Sequence, residues 1–227
     1  MRKSFPTSLA LSLLITSSLL LRAQTPHMQI SVERKTGDKF ETTSPQHVFR
    51  SGDLVRFRFR SSFDGYLYVM DQSTSGKYLI LFPAKDAQEA NHVEQDHEYL
   101  VPASNGSWFR VDDPPGYETV YFVISPVKLE KPATPESHPL PATPPPPPAA
   151  PVELLPRCDD AVFRARGECV DVLAGPRALG KDETLPPQLP AAAPRDITVI
   201  NKPSATVVAP KDGAGGPLIY EFRLAHK

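Results

Sequence analysis

Apolar and polar residues alternate from Leu54 to Arg60, where Val55, Phe57 and Phe59 stand against Arg56, Arg58 and Arg60. Successive side chains of a strand point to opposite faces, so the segment predicts a strand with an apolar row inward and a guanidinium row outward. Turn residues bracket it, Ser51-Gly52-Asp53 before and Phe63-Asp64-Gly65 after. Asp64-Gly65 is a preferred pair for a type I′ hairpin, which predicts direct pairing with Tyr66-Leu67-Tyr68-Val69-Met70. Ser73-Thr74-Ser75-Gly76 supplies the next turn, and Lys77 to Phe82 (KYLILF) predicts a buried third strand that Pro83 stops. Three strands joined by tight turns make a meander.

The pattern continues through Glu98 to Val101, Trp108 to Val111 and Thr119 to Ser125, with Met28 to Val32 as a first strand upstream. Asp113-Pro114-Pro115-Gly116 excludes a helix before the last of the three. Near the C-terminus, Asp196 to Ile200 is strand-like, and Leu218, Tyr220, Phe222 and Leu224 alternate with Ile219, Glu221 and Arg223. A strand of this kind cannot bury its apolar side alone and is expected to join the sheet of the first segment. The expectation is one mainly β domain, residues 27–130 completed by 195–227, which the intervening region leaves and re-enters.

Composition sharpens the reading of that region. The chain has 27 prolines, well above the ordinary ~5%, and ten of them fall between Pro132 and Pro151, including the run Pro144 to Pro148. Residues 131–194 are therefore expected to be an irregular insertion, either a semi-rigid polyproline II segment or a linker. Within it, Asp159-Asp160 could cap a short helix through Val162 and Phe163, with Gly167 and Pro176 preventing a long one. Cys158 and Cys169 are the two cysteines. An even number in an exported chain predicts a disulfide, which across so short a loop would constrain the unfolded state by roughly 2–3 kcal/mol.

Export is read from the N-terminus. Arg2 and Lys3 precede an apolar stretch of 13 residues, Leu9 to Leu21, and Ala23 follows, the pattern of a secretory signal peptide over residues 1–23. The stretch is short for a hydrocarbon layer of roughly 30 Å, so cleavage after Ala23 is expected, with no stable membrane span afterwards and a periplasmic or extracellular location. Cleavage would leave 22 Lys+Arg against 26 Asp+Glu, a balance that argues against nucleic-acid binding.

The succession Ser51-Gly52-Asp53, RFRF, Asp64-Gly65-Tyr66-Leu67-Tyr68-Val69, Leu79-Ile80-Leu81-Phe82-Pro83, Tyr99-Leu100-Val101-Pro102 and Pro115-Gly116-Tyr117-Glu118-Thr119 resembles the bacterial family catalogued as domain of unknown function 4384. The resemblance implies a small β-sandwich module of exported or envelope proteins, with no known reaction and no catalytic residues. The expected fold is thus a single small antiparallel β-sandwich with a proline-rich, largely irregular insertion.

Candidate chemistry is sparse. The chain lacks a G-x-S-x-G elbow, and Gly213-Ala214-Gly215-Gly216 precedes a strand instead of a phosphate-binding helix N-terminus. An extended Asn91 to Glu98 would place His92, Glu94 and Asp96 on one face, a donor set that zinc or a similar ion accepts. A hydrated acidic loop before Tyr99 is the preferred reading, so no metal, cofactor or catalytic residue is assigned. Arg56, Arg58 and Arg60 form a possible anion platform, and Tyr66 and Tyr68, with Tyr78, Trp108 and Tyr121, a possible groove for glycan or peptide. Against this, outward arginines commonly pair with acids on neighbouring strands, and strand aromatics commonly belong to the core. The expected function is that of a non-catalytic exported or cell-envelope module that binds a protein partner through its sheet or its proline-rich segment. The alternatives are a carbohydrate- or anion-binding β-domain and, third, a metal-dependent hydrolase using His92, Asp96 and His97.

Overall fold

Two alternating strands set the frame of the computed structural model. β4 (Leu54–Ser61) buries Val55, Phe57 and Phe59, and β1 (Met28–Thr36) buries Met28, Ile30 and Val32 beside them. They pair antiparallel from Met28↔Ser61 to Arg34↔Val55. The structure describes residues 25–73, 77–83, 90–103, 108–111, 114–130, 169–179, 183, 185–202 and 204–227. The expected signal peptide, Cys158, the short helix near Asp159 and residues 131–168 of the insertion lie outside these.

The remaining strands are β2 (Lys39–Thr42), β3 (Val48–Phe49), β5 (Gly65–Gln72), β6 (Tyr78–Phe82), β7 (His92–Val93), β8 (Glu98–Val101), β9 (Phe109–Arg110), β10 (Gly116–Ser125), β11 (Gly175–Ala178), β12 (Ile197–Asn201), β13 (Thr206–Pro210) and β14 (Leu218–His226). They form two sheets packed face to face. Sheet 1 runs β12-β13-β1-β4-β8, with β2 on β1 and β9 on β4. Sheet 2 runs β11-β14-β10-β5-β6, with β3 on β14 and β7 on β5. The inward rows meet as one core, where Phe57 lies edge-on to Phe122 and Phe222 at centroid distances of 5.2 and 5.1 Å. Edge-to-face aromatic pairs of this kind add to the gain from burial. The fold is the mainly β sandwich expected.

The terminal strand does complete the module. β14 pairs with β10 from Gly116↔His226 to Ile124↔Leu218, and Tyr220 and Phe222 are buried in the core. Its other face is not solvent-exposed as the alternation implied, because Ile219 and Glu221 are buried too.

Three expectations need correction. First, β4 and β5 do not form a hairpin: the turn at Asp64-Gly65 carries the chain from sheet 1 to sheet 2. The outward row of β4 is charged and suits a solvent-facing sheet, whereas Tyr68 and Met70 on the outward row of β5 require a covered one. Two such strands cannot share a face without exposing one set or burying the other. Gly65 serves close approach here, since a Cβ would lie 2.7 Å from the carbonyl oxygen of Ser125. Second, the strand in Lys77 to Phe82 is only partly buried. β6 is an edge on which Leu81 and Phe82 are buried while Tyr78 and Leu79 are exposed.

Third, the expected insertion 131–194 runs past the point where the chain re-enters the fold. Val170 bridges His47, and β11 pairs with β14 from Gly175↔Arg223 to Ala178↔Tyr220. Beyond it, Leu179 and Leu189 are buried. Pro176 is accommodated because β11 is an edge strand. β14 left both an open edge and an apolar outward face; β11 takes the edge, and Leu179, Leu185, Leu189 and Ala192 cover the face. Cys169 is buried beside Val48, Ala174 and Ala225.

Candidate functional site

The backs of the two sheets present different chemistry. On sheet 1, Arg56 Nε donates to Glu33 Oε2 at 2.6 Å and Arg58 Nε to Glu33 Oε1 at 2.8 Å, so one buried carboxylate on β1 serves two guanidiniums of β4. Arg58 also donates to Glu98 of β8, and Arg60 Nη2 donates to Asp96 Oδ1 at 3.2 Å. The Glu33 hydrogen bond is the main cause that raises the pKa of Arg58. Arg56 additionally covers the Phe40 ring at 4.0 Å. The sequence-predicted arginines are thus together, but their charge is answered by acids across the strands, which leaves a neutral ladder instead of an anion platform.

Sheet 2 has an aromatic and aliphatic back. Tyr68, Met70, Val123 and Ile219 lie on the outward rows of β5, β10 and β14 and pack with Leu179 and Leu189, with Tyr66, Ile80, Tyr121, Leu129, Leu185 and Ala192 around them. Tyr68 is buried; its hydroxyl donates to the carbonyl of Leu129 at 3.1 Å and accepts from Leu129 N–H at 3.2 Å. Tyr66 is half-buried, with its ring 5.3 Å from that of His92 in an edge arrangement. Beyond Ile80 the same row of β6 reaches Tyr78, which is 54% exposed. Trp108 adjoins β9 on the other sheet, so the predicted aromatics do not form one groove: Tyr66, Tyr68, Tyr78 and Tyr121 share a face and Trp108 does not.

Along β14 this face turns from apolar to charged. The buried carboxylate of Glu221 accepts from Arg177 and, at 2.8 Å, from Arg223 Nε, while Arg177 Nη2 donates to Glu183 at 2.8 Å. Burial, then the Glu221 charge, raises the pKa of Tyr121. Tyr117 donates to Asp171 Oδ2 at 2.8 Å, and burial followed by that hydrogen bond pushes its pKa up to about 12. The strap that follows β11 ends at an open cleft of about 340 Å³ lined by Leu179, Pro194, Arg195, Asp196, Lys211 and Asp212. There Arg195 Nη2 donates to both oxygens of Asp212 at 2.7 Å, a pairing internal to the fold.

The acidic segment disperses its donors. His92 leans on Tyr66, His97 on Tyr99, Glu94 N–H donates to the Tyr99 hydroxyl, and Asp96, at a φ of 59°, is held by Arg60. Among the described residues, no group of three or more His, Cys, Asp or Glu could hold a metal ion, and no helix is long and apolar enough to cross a membrane.

Sequence reasoning missed a polar end to the core. Glu118 and His226 continue the inward rows of β10 and β14, both buried, with His226 Nε2 3.3 Å from Glu118 Oε1. His47, buried near Phe49, receives Arg34 Nη1 at 3.2 Å. The signal was present: Glu118 is two residues before Val120, and His226 two after Leu224, at the inward parity of their strands.

Residues 48–128 match the family described as Domain of unknown function (DUF4384). The match begins at β3 and ends just after β10, so β1, β2 and β11–β14 lie outside it. Neither the curated proteins nor the solved structures contain a match to the chain.

Proposed function

We propose, for a chain that carries a domain of unknown function 4384 over residues 48–128, a non-catalytic exported module that binds a protein partner through the outer face of sheet 2. The observation that carries this reading is the tyrosine-rich apolar face running out from its cover to exposed Tyr78 on an edge strand. Apolar patches with aromatic residues at their centre are what protein interfaces use. The reading of residues 1–23 as a signal peptide supports export to the periplasm or beyond.

Capture from envelope extracts tests it. The mature chain and Tyr78→Phe should retain a common partner, and Tyr78→Asp should retain at least tenfold less. Equal capture by all three would overturn the reading. The carbohydrate or anion alternative has less support, because the arginine row is neutralised and Trp108 stands apart from the tyrosines. Export also supports a Cys158–Cys169 disulfide. Non-reduced protein should titrate no thiol after denaturation, and two titrating thiols would refute the bond.

A further inference from the structure

The partner's chemistry follows from what already sits on this face. We infer that the outer face of sheet 2 is a docking surface for proline-rich segments of a partner protein that carry Leu-Pro steps, and that residues 185–194 occupy it in cis. The inference rests on the partner-binding reading of the same face and names the class of ligand.

The strap reads Leu185-Pro186-Pro187-Gln188-Leu189-Pro190-Ala191-Ala192-Ala193-Pro194. Four of its residues are prolines and have no N–H to donate, so it cannot join the sheet as a ladder strand. Among the described residues its one backbone hydrogen bond is internal, from Leu189 N–H to the Pro186 carbonyl at 3.0 Å. Its hold on the sheet is through side chains: Leu189 is buried in the cluster with Tyr68, Met70, Val123 and Ile219, and Leu185 and Ala192 pack against that cluster, as Tyr66 and Tyr121 do. Pro187, Gln188, Ala191 and Ala193 face solvent. The strap turns at Pro186 to Leu189 and sets Leu189, followed by the buried Pro190, against an aromatic surface; aromatic-lined grooves are where proline-rich ligands dock, and the fixed φ of proline limits the entropy such a ligand loses.

Two observations separate this from a plain structural cover. The outward row of β6 runs on from Ile80, which packs on the cluster, to Tyr78, which is exposed, so the face extends beyond the cluster that the strap covers. The strap also lacks the backbone pairing to the sheet that holds β11 and β14 in place. An occupant held by a few apolar side chains can be exchanged for another with the same spacing of leucine and proline. The effective concentration of a tethered strap keeps free peptides out until it is released.

The test uses the full mature chain with residues 185–194 replaced by a glycine-serine sequence of equal length, and a fluorescent peptide of residues 185–194 as probe. The variant should bind the peptide saturably by anisotropy, the intact protein at least tenfold more weakly. Replacing both leucines of the peptide with serine, or Tyr66 of the variant with alanine, should weaken binding at least tenfold. A folded variant that does not bind the peptide, or an intact protein that binds it equally well, overturns the inference. If peptide binding is absent while Tyr78-dependent capture from extracts persists, only the ligand class fails and partner binding stands. Concentration-dependent dimerisation of the variant in sedimentation would make a second copy the occupant and overturn the assignment to a separate partner.

Should the variant not fold, hydrogen exchange on the intact chain decides. The Leu189 amide, which donates to the Pro186 carbonyl, should exchange at least a hundredfold faster than the amides of central β10, by local release of the strap. Exchange at the global unfolding rate would mark a fixed layer and overturn the inference.

Discussion

The outer faces of the two sheets start from the same geometry and end in opposite chemistry. On sheet 1, β1, β4 and β8 place Glu33, Arg56, Arg58, Arg60 and Glu98 across from one another, with Glu33 buried beneath the guanidiniums and Arg58, Arg60 and Glu98 in contact with water. On sheet 2, β5, β10 and β14 place Tyr68, Met70, Val123 and Ile219 outward and cover them with Leu179, Leu185, Leu189 and Ala192. A face of paired charges needs no third layer. A tyrosine and aliphatic face does, and the chain after β11 provides it. The comparison teaches that the second face of a strand, and not only the first, decides which sheet it enters.

The largest effect should come from removing what both sheets depend on. Deleting residues 218–227 takes β14 from between β10 and β11 and strips Tyr220, Phe222 and Leu224 from the core. The deleted protein should have no cooperative thermal transition, and a transition within a few degrees of the intact chain would contradict the architecture.

Next in size is the cover against the bare face. Leu189→Ala should cost about 2–4 kcal/mol in chemical denaturation, as buried leucine truncations do. Leu100→Ala, on the outward row of β8 opposite Arg58, should cost less than about 1.5 kcal/mol. Equal costs would mean that the strap is not seated as described.

Within the ladder itself, position decides value. Glu33 is buried between two guanidiniums, so Glu33→Gln should destabilise by about 1–3 kcal/mol. Glu98, with its side chain 51% exposed, should cost less than about 1 kcal/mol on the same change. Denaturant midpoints of the two single variants make the comparison directly.

The smallest effect is alkaline. The folded Tyr117 holds its proton up to about pH 12, against an ordinary value of 10.0. The folded state therefore binds more protons than the unfolded one between these limits, and stability falls as pH rises through them. Burial acts in the same direction on Tyr121 and Tyr220. Tyr117→Phe should flatten part of the decline, and an unchanged slope from about pH 10 upward would refute the Tyr117–Asp171 contribution.

Much of the fold was legible in the chain. Strict alternation located β4 and β14, and Glu98 to Val101 was recovered as β8 with its bounds intact. The match over residues 48–128 agrees with the resemblance seen from Ser51 to Ser125. The short strands β2, β3, β7, β11 and β13 escaped because two to five residues carry little period of their own; β6, β8 and β12, no longer than five, were legible from their β-branched, aromatic and aliphatic content. The candidate face was legible only as a set of aromatics: Tyr66 and Tyr68 were singled out, but nothing local told Trp108 apart from Tyr121.

By itself the sequence determined the strands long enough to show a period of two, which is a property of consecutive residues, and it determined that the terminal strand needed burial. It also set the proline content that keeps residues 185–194 from becoming a strand. Tertiary structure alone decided that Asp64-Gly65 crosses between sheets, that β14 lies between β10 and β11, and that the strap lies over Tyr68. Each of those is a choice of partner across many residues, and it is settled by matching one apolar face to another in space, for which a single strand's pattern holds only half the information.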